Sequence, residues 1–259
     1  MELYETIERI RETKPLVHHL TNWVTIYDCA QITRSVGALP VMAHSRQDAL
    51  EMVGIASALV LNIGTLDDEL VDTMVLVAER ARELKVPVVL DPVGAGATSP
   101  RTEASKRLLD TGAITVIKGN AGEITTLAGG IAEVRGVESM AAEGAEGAAK
   151  MLASEGHVVA MTGPVDRVTD GGRTALISNG TALMGEVVGT GCMSASVIGA
   201  FAAVDPDPFE ATVNALSAYG ISGEKGADGS PPPLEFKSRL IDGMASLSVE
   251  DGGRTKVRR

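Results

Sequence analysis

The sequence has few aromatic residues and few cysteines, and both shortages limit what it can encode. Phe, Trp and Tyr make up 3% of the 259 residues whereas 44% are hydrophobic, so the core must consist mainly of aliphatic side chains. The two cysteines, Cys29 and Cys192, lie far apart and show no Cys-x-x-Cys or His-Cys spacing. Neither a disulfide framework nor a zinc site is therefore indicated.

Basic residues are also scarce. Lys and Arg number 23 against 34 Asp and Glu, which gives a formal net charge of −11. Binding to nucleic acid or to an anionic membrane needs clustered Lys and Arg, and only the short tail Arg254–Arg259 is basic. We therefore expect neither a nucleic-acid partner nor a membrane partner.

Long apolar runs are missing as well. No apolar stretch reaches the roughly 18 residues of a membrane-spanning helix. The N-terminal segment, residues 1–13, is charged and amphipathic, unlike a signal peptide. The sequence predicts a cytoplasmic protein.

What the sequence does contain is a regular alternation of strand-like and helix-like segments. Aliphatic runs typical of strands buried on both faces are interleaved with segments of helical periodicity; the clearest runs are Ala58–Ile63, Val86–Leu90, Ile114–Ile117 and His157–Met161. This alternation predicts an α/β fold in which helices cover both faces of a mainly parallel central sheet. Residues 1–259 suit a single domain of this kind, and residues 248–259 are expected to be a flexible tail.

Two segments depart from the alternation. Val165–Thr169 and Arg173–Ser178 flank Asp170-Gly171-Gly172, which predicts a hairpin at the edge of the sheet. The stretch Gly129–Gly147 is rich in Gly, Ala and Glu, and we expect a loop that runs into a solvated helix.

Small polar or glycine-containing groups follow the predicted strands. They are Asn62-Ile63-Gly64-Thr65, Asp91-Pro92, Lys118-Gly119-Asn120, Thr162-Gly163 and Gly189-Thr190-Gly191-Cys192. Ligands of open parallel sheets bind at the carboxyl ends of the strands, so we expect these groups to line one crevice.

The last of these groups, Gly189–Cys192, is the strongest candidate for a functional site. Glu186–Val188 is expected to be extended; Gly189 and Gly191 then allow a tight turn before an apolar helix. The first turn of that helix has free N–H groups from Thr190 onward, which makes an anion site with Cys192 inside it. A tight connection with a buried cysteine is the alternative, and the loop matches neither the P-loop nor the dinucleotide fingerprint.

Charged side chains near the strand ends are candidates for binding a metal-bridged triphosphate. Phosphate needs a cation, which Lys118 supplies, and Mg²⁺ needs carboxylates, which Asp91 and Glu123 supply. Structural alternatives exist for all three. Glu123 has the spacing of a capping-box residue, Asp91 precedes a proline as turn residues do, and Lys118 fits a solvated strand end.

The adjacent histidines His18 and His19 are a further candidate site. We expect both to be structural, because no third metal ligand is spaced near them.

Several blocks of the sequence, in order along residues 14–225, resemble the hydroxyethylthiazole kinase family; they are PLVHHLTNWVTIYDCAQ, GALPVMAH, ALVLNIGTL, PVVLDPVGAGAT, VIKGNAGEI, AMTGPVD and GTGC. The combination is specific although each block alone is not. The resemblance implies a ribokinase-like fold. It also implies Mg²⁺-dependent transfer of the γ-phosphoryl group of ATP to the primary alcohol of 4-methyl-5-(2-hydroxyethyl)thiazole, in thiamine biosynthesis or salvage.

The resemblance assigns residues to the alcohol. Met42 in PVMA and Gly189 in GTGC would contact it, with Asn22 in LTN close by. Cys192 falls where the wider ribokinase-like group has an Asp that serves as a base, so Cys192 is the expected catalytic residue. Trp23, which follows the Asn, departs from many relatives.

The remaining assignments concern the nucleotide and the metal. By resemblance, Lys118 in IKGN and Thr162 in MTG would bind ATP, Asp91 in LDP and Glu123 in AGEI would hold Mg²⁺ directly or through water, and Gly189, Thr190 and Gly191 would form the anion hole. Many relatives have Arg where this chain has Lys118, and Lys makes a weaker phosphate contact because it lacks the bidentate fork.

The resemblance further implies a homotrimer with active sites at subunit interfaces, and the apolar segment Trp23–Met42 is the expected shared wall. Two other functions remain open. One is an ATP- or ADP-dependent dehydratase on the same fold, which an Asp in place of Cys192 and a pocket wide enough for a nicotinamide nucleotide would favour. The other is a thiazole- or nucleotide-binding protein without turnover, and the intact set Asp91, Lys118, Glu123 and Cys192 argues against it.

Overall fold

The sheet at the centre of the molecule has nine strands, which the computed structural model places within its described residues, 1–129 and 141–259. They are β1 (Leu16–Leu20), β2 (Leu39–Val41), β3 (Ala58–Asn62), β4 (Val88–Asp91), β5 (Val116–Asn120), β6 (Val158–Thr162), β7 (Asp166–Thr169), β8 (Thr174–Ile177) and β9 (Val257–Arg258). Their spatial order is β2-β1-β3-β4-β5-β6-β7-β8-β9.

The sheet is parallel from β2 to β6 and antiparallel from β6 to β9. Within the parallel part, Asn62 pairs with Asp91 and Asn120 pairs with Thr162. The carboxyl ends of neighbouring strands therefore lie side by side, as expected for a crevice at this edge. The hairpin β7–β8 confirms the predicted turn at Asp170-Gly171-Gly172.

Helices connect the strands and cover the sheet. They are α1 (Leu3–Thr13), α2 (Ile26–Val36), α3 (Arg46–Met52), α4 (Asp68–Leu84), α5 (Ser99–Asp110), α6 (Ala121–Leu127), α7 (Ala141–Ser154), α8 (Leu183–Glu186), α9 (Thr190–Ala202), α10 (Pro208–Gly226) and α11 (Pro233–Ala245). Several boundaries follow local rules: α2 ends at Gly37 with a φ of 112°, and α5 has a proline in its first turn.

Each central strand contributes side chains to two cores. In β3, Ala58 and Val60 pack with α1, α2, α9, α10 and α11, whereas Leu59 and Leu61 pack with α3 to α7 on the opposite face. Successive side chains of a strand point to opposite faces, so a strand covered on both sides must be apolar throughout. The predicted α/β fold, with a mainly parallel sheet between two helical layers, is confirmed.

Two local predictions were wrong. Residues 186–188, expected to be extended, begin instead with the end of α8, a single helical turn; Val187 has extended backbone angles, and Val188 lies in a turn. Residues 248–259, expected to be a flexible tail, form a 3-10 helix at Val249–Arg254 and then β9, which pairs with β8. The main-chain N–H and C=O groups at the edge of β8 attract this pairing.

The predicted loop Gly129–Gly147 lies partly outside the described residues, because residues 130–140 are not among them. From Ala141 the chain is helical, as α7. Among the described residues, none of the helices has the length and apolarity needed to cross a bilayer.

Candidate active site

The site is built on one face of three neighbouring strands. Asn62, Asp91 and Lys118 stand near the carboxyl ends of β3, β4 and β5. Each lies two residues after a valine of the core beneath α9, so all three side chains share the face that α9 covers; these valines are Val60, Val89 and Val116. The pleat and the parallel register thus bring three polar side chains together under one helix end.

These three side chains form a buried hydrogen-bonded chain. The Asn62 amide donates to Asp91 Oδ2 over 2.7 Å, and Lys118 Nζ donates to Asp91 Oδ1 over 3.2 Å. Asp91 is 1% exposed and Lys118 5% exposed, which excludes the solvated-lysine alternative. A buried ion pair persists only where further hydrogen bonds satisfy both groups, and Asn62 provides one of these.

Both members of the pair are charged at neutral pH. Burial raises the pKa of Asp91 to about 6, against the opposing effect of the Lys118 ammonium. Burial alone would lower the pKa of Lys118, but the negative charges around it, of which Asp91 is the largest contributor, together outweigh burial and raise that pKa. The site therefore holds one ammonium fixed on one carboxylate.

The N-terminus of α9 faces this pair. Gly189, just before the helix, has a φ of 98°, a conformation that L side chains rarely adopt, and a Cβ added there would lie 2.9 Å from Thr25 Cγ2. A Cβ added to Gly191 would lie 3.2 Å from Lys118 Nζ. Free N–H groups and an ammonium thus approach the same small volume, as an anion site requires.

Hydrogen bonds outside the turn hold the loop in place. The Thr190 hydroxyl donates to the carbonyl of Met184 over 2.6 Å, and the carbonyl of Val187 lies 3.1 Å from the same oxygen. The buried Tyr219 hydroxyl donates to the carbonyl of Thr190 over 2.8 Å. Because the Thr190 hydroxyl is occupied, an anion would find the backbone N–H of Thr190 and not its side chain.

Cys192 lies in the first turn of α9, half-buried, with a free thiol. The amides of Asn22 and Asn62 donate to its sulfur over 3.4 Å and 3.3 Å. Burial raises the pKa of the Cys192 thiol, and the negative charge of Asp91 raises it further. The thiol is therefore protonated at neutral pH and is a poor general base.

Asn22, predicted to lie near the alcohol, is hydrogen-bonded to Asn62 and Cys192. Its Oδ1 accepts hydrogen bonds from the N–H groups of Val24 and Thr25, and its Nδ2 donates to Asn62 Oδ1 over 2.9 Å. The turn after β1 is thereby fixed, with the amide group aimed at Cys192. Asn22, predicted to lie close to the alcohol, thus contacts Cys192.

Met42 directly follows β2, and His44 links it to the residues next to Asn22. His44 Nδ1 lies 3.1 Å from the Met42 carbonyl, and its Nε2 lies 3.2 Å from the N–H of Thr21, next to Asn22. Its Nε2 also lies 3.1 Å from the Thr21 carbonyl, so His44 ties the segment after β2 to the end of β1. The indole of Trp23 stacks on the His44 ring at 4.6 Å between centroids.

Glu123 has the predicted capping-box role and a second one. Its Oε2 accepts from the N–H of Asn120 over 2.8 Å, and Asn120 Oδ1 accepts from the N–H of Glu123. Its Oε1 accepts from the N–H of Gly94, in the loop after β4, over 2.8 Å. The carboxylate thus ties the loop after β4 to the junction of β5 and α6.

A cavity of about 540 Å³ opens beside the segment Gly189–Gly191, which we call the anion loop because it is the predicted anion site. It runs from Thr190 and Gly191 to Thr162 at the end of β6, past the loop 179–185 and the α10 side chains. The predicted ATP residue Thr162 therefore lines a space continuous with the anion site, and of a size suited to a small ligand.

The two adjacent histidines are structural, as predicted. His18 Nε2 lies 2.9 Å from the Ala43 carbonyl, and His19 Nε2 lies 3.1 Å from the Ser196 hydroxyl. Burial lowers the pKa of His19 to about 3, so the ring stays neutral. Within the described part of the chain, no group of three or more His, Cys, Asp or Glu side chains is arranged to hold a metal by itself.

Sequence reasoning missed the role of Asn62, which joins Asp91 to Cys192. The sequence places Asn62 on the same strand face as Val60, two residues earlier. The register of β3 and β4, which pairs Asn62 with Asp91, was needed to bring the two polar side chains together. Sequence reasoning also missed Tyr219, because a tyrosine inside an apolar helix carries no signal of a contact with a distant loop.

The fold and the site define a class. The mainly parallel sheet between two helical layers is a ribokinase-like fold. A solved structure of Bacillus subtilis pyridoxal kinase shares this fold at a TM-score of 0.59 and 19% identity, covering 82% of this chain and 92% of that one.

Within that class the chain belongs to the hydroxyethylthiazole kinase family, whose model matches residues 7–250. A hydroxyethylthiazole kinase of Methanosarcina mazei is 52% identical over 246 residues, 94% of each chain. One of Rubrobacter xylanophilus is 48% identical over 99% of this chain and 98% of its own. The solved structure of a hydroxyethylthiazole kinase protein from Pyrococcus horikoshii is 42% identical, with a TM-score of 0.91 over 99% of this chain and 98% of that one.

Proposed function

We propose that this protein phosphorylates the primary alcohol of 4-methyl-5-(2-hydroxyethyl)thiazole with ATP, as a step of thiamine biosynthesis or salvage. Membership of the family supports the reaction. The observation that carries the proposal is the approach of the α9 N-terminus to Lys118, with a Cβ on Gly191 only 3.2 Å from Nζ. An arrangement of N–H groups and a fixed ammonium stabilises the charge on a transferring phosphoryl group.

The nucleotide would occupy the cavity beside the anion loop. Lys118 and the N–H groups of Gly189, Thr190 and Gly191 would hold the phosphates, and Thr162 would line the path towards the nucleoside. The Lys118 ammonium is held on Asp91 before ATP binds, so little reorganisation is needed when the phosphates arrive.

The alcohol would lie on the other side of Cys192, between Asn22, Gly189 and the segment after β2 that carries Met42. In this placement the alcohol oxygen sits beside Sγ, in line with the anion loop. The thiol is protonated, so we assign Cys192 to shaping this pocket and orienting the hydroxyl more than to removing its proton.

The carboxylates fit a magnesium ion that is held through its water ligands. All four oxygens of Asp91 and Glu123 already accept a hydrogen bond, and the remaining lone pairs suit donation from bound water. Mg²⁺ commonly keeps several waters and uses one or two carboxylates together with substrate phosphates. When bound, the ion would neutralise phosphate charge during transfer.

A coupled assay tests the function directly. ADP formation from ATP and Mg²⁺ is measured with and without the thiazole alcohol, and the expected result is turnover that depends on the alcohol. ADP release of equal rate without the alcohol would point to an ATPase instead. No turnover despite tight binding of both substrates would favour the binding protein.

Substitution of Cys192 is expected to have a modest effect. Cys192→Ala should lower kcat on the order of 10²-fold or less, because a loose transition state needs no strong base. Cys192→Asp should match or exceed wild-type kcat, since the amides of Asn22 and Asn62 already point at this position and would donate to a carboxylate.

The measurement is kcat at saturating ATP and alcohol, with Cys29→Ala as the control for loss of a buried thiol. A loss far beyond 10²-fold in Cys192→Ala, on the order of 10⁴-fold, would show that the thiol itself is needed for proton transfer.

We also propose a homotrimer that completes the alcohol pocket. Three apolar side chains in the turn before α2 and in its first turn are open to solvent: Trp23 is 56% exposed, Val24 67% and Tyr27 70%. They adjoin Asn22, so a neighbouring subunit that covers them would also close the pocket.

Tyr27→Glu is expected to yield monomers without activity, because a charge would be buried in the subunit contact. Light scattering and kcat are measured together. Val249→Glu is the control, since Val249 is 73% exposed and lies in the 3-10 helix. A monomeric Tyr27→Glu protein with wild-type kcat would refute the shared pocket.

A further inference from the structure

Asp166, at the start of β7, has no part in the scheme above. Its side chain shares the face of Val168, which packs in the core beneath α10, whereas Arg167 points the other way and pairs with Glu146 at 3.2 Å. Asp166 consequently points into the cavity that opens from the anion loop, and it is the one carboxylate among the lining residues described.

One half of the Asp166 carboxylate has a structural role. Its Oδ1 accepts a hydrogen bond from the N–H of Gly163 over 2.9 Å, which closes the turn between β6 and β7. Within residues 1–129 and 141–259, Oδ2 receives no hydrogen bond. Closing the turn therefore uses one oxygen and leaves the other facing the cavity.

A carboxylate in this place selects the kind of group that can lie beside it. An ionised carboxylate only accepts hydrogen bonds, and it repels phosphate oxygens. Phosphates must therefore stay at the opposite end, where Lys118 and the α9 N-terminus are. The part of a nucleotide beside Asp166 is therefore not its phosphates, and it must carry a hydrogen to donate.

Resting on the proposed function, we infer that Asp166 recognises the nucleoside of the phosphoryl donor by accepting a hydrogen bond from a ribose hydroxyl or from the amino group of the base. Its carboxylate then sets the direction in which the nucleotide enters the cavity, with phosphates towards α9 and nucleoside towards the β6–β7 turn. Asp166 is thus a specificity-determining residue.

The surroundings of Asp166 make its carboxylate a strong hydrogen-bond acceptor. Burial raises its pKa to about 6, while the N–H of Gly163 and the charge of Lys118 act in the opposite direction. The group is mostly ionised at neutral pH but poorly hydrated. Hydrogen bonds to a charged, partly desolvated group are among the stronger ones, and the cost of leaving it unpaired adds to the discrimination.

Asp166→Asn separates the two roles. The amide oxygen can still accept from the Gly163 N–H, so the turn is kept, but the remaining group becomes a donor. We expect the affinity for ATP to fall about 10- to 100-fold, and the affinity for inorganic tripolyphosphate to stay unchanged. Affinities are measured by calorimetry with Mg²⁺ and without the thiazole alcohol.

The control is Asp170→Asn, which removes the same charge from the same hairpin. Asp170 Oδ1 also closes a turn, by accepting from the N–H groups of Gly172 and Arg173, but Asp170 does not line the cavity. Its affinity for ATP should equal that of the wild type.

Nucleotide analogues identify the group that Asp166 contacts. 2′-Deoxy-ATP, 3′-deoxy-ATP and ITP each lack one candidate donor, and the one without the contacted group should bind the wild type about 10-fold more weakly or worse. Asp166→Asn should no longer distinguish that analogue from ATP. This comparison on the wild-type protein needs no variant to fold.

Wild-type affinity of Asp166→Asn for ATP, or an equal loss for ATP and tripolyphosphate, would overturn the inference. The proposed function fails separately, if the wild type binds ATP in this manner but does not phosphorylate the thiazole alcohol.

Discussion

Gly191→Val is expected to lower kcat by about 10³-fold or more while the protein remains folded. Gly191 lies in the first turn of α9, where a Cβ would stand 3.2 Å from Lys118 Nζ. The branches of valine would fill the gap between the N–H groups and the ammonium, which is where the phosphoryl oxygens would bind. The end of a lysine side chain can shift to relieve the contact, so stability should change little.

Gly189→Val is expected to lower kcat as much as Gly191→Val does, but for a different structural reason. It combines a φ of 98° with a Cβ only 2.9 Å from Thr25 Cγ2, so it should also lower the free energy of unfolding, by about 1 to 3 kcal/mol for the backbone strain alone. The two variants are compared by kcat and by denaturant unfolding.

The control is Gly147→Val in α7, where a Cβ meets nothing within 4 Å; it should leave kcat unchanged. Gly191→Ala should fall between wild type and valine. If Gly191→Val turned over normally, the α9 N-terminus would not be the anion hole.

Asp91→Asn and Glu123→Gln should impair Mg²⁺-dependent turnover far more than binding of the thiazole alcohol. We expect kcat to fall by at least about 10²-fold, because phosphoryl transfer depends on electrostatic stabilisation in the transition state. The alcohol would bind beyond Cys192, away from both carboxylates, so its dissociation constant should change little. Turnover and calorimetric binding of the alcohol are measured separately.

Stability has to be separated from chemistry in these variants. Asp91→Asn leaves Lys118 buried without its carboxylate, which costs roughly 3 to 5 kcal/mol when a buried ion pair is broken. Glu123→Gln loses one of the two main-chain hydrogen bonds to Gly94 and Asn120. Turnover is therefore expressed per folded molecule.

The double variant Asp91→Asn/Lys118→Met provides the sharper control. It removes both charges, so it should recover stability relative to Asp91→Asn but none of the activity. Recovery of activity together with stability would mean that the pair serves only to hold the fold. Near-normal kcat in both Asp91→Asn and Glu123→Gln would remove the case for a magnesium role.

Much of the site was predictable because parallel sheets collect the carboxyl ends of their strands at one edge. Asp91, Lys118 and Gly189–Cys192 were predicted to share a crevice from this rule alone, and they do. The structural alternatives considered for Lys118 and Glu123 had different outcomes: Lys118 is buried and not solvated. Glu123 forms the capping box that local spacing predicted, and its hydrogen bond from the N–H of Gly94 joins α6 to the loop after β4, a contact that no local pattern indicates.

The contacts that were not predicted are all long-range. Asn62 and Tyr219 gain their roles only from the register of the strands and from the packing of α10 on α9. The strand β9 also escaped prediction, because its two residues pair only once the hairpin edge of β8 exists. Short segments of this kind have no periodicity of their own.

By itself the sequence determined the layered α/β fold, the position of the crevice and the family, since apolar periodicity, strand-end residues and block order are local properties of the chain. Only the tertiary structure decided the charge states and contacts within the crevice. Burial fixed Lys118 on Asp91 and kept Cys192 protonated, and packing turned Asp166 towards the cavity. These properties depend on desolvation and on atoms distant in sequence, which residue order alone does not specify.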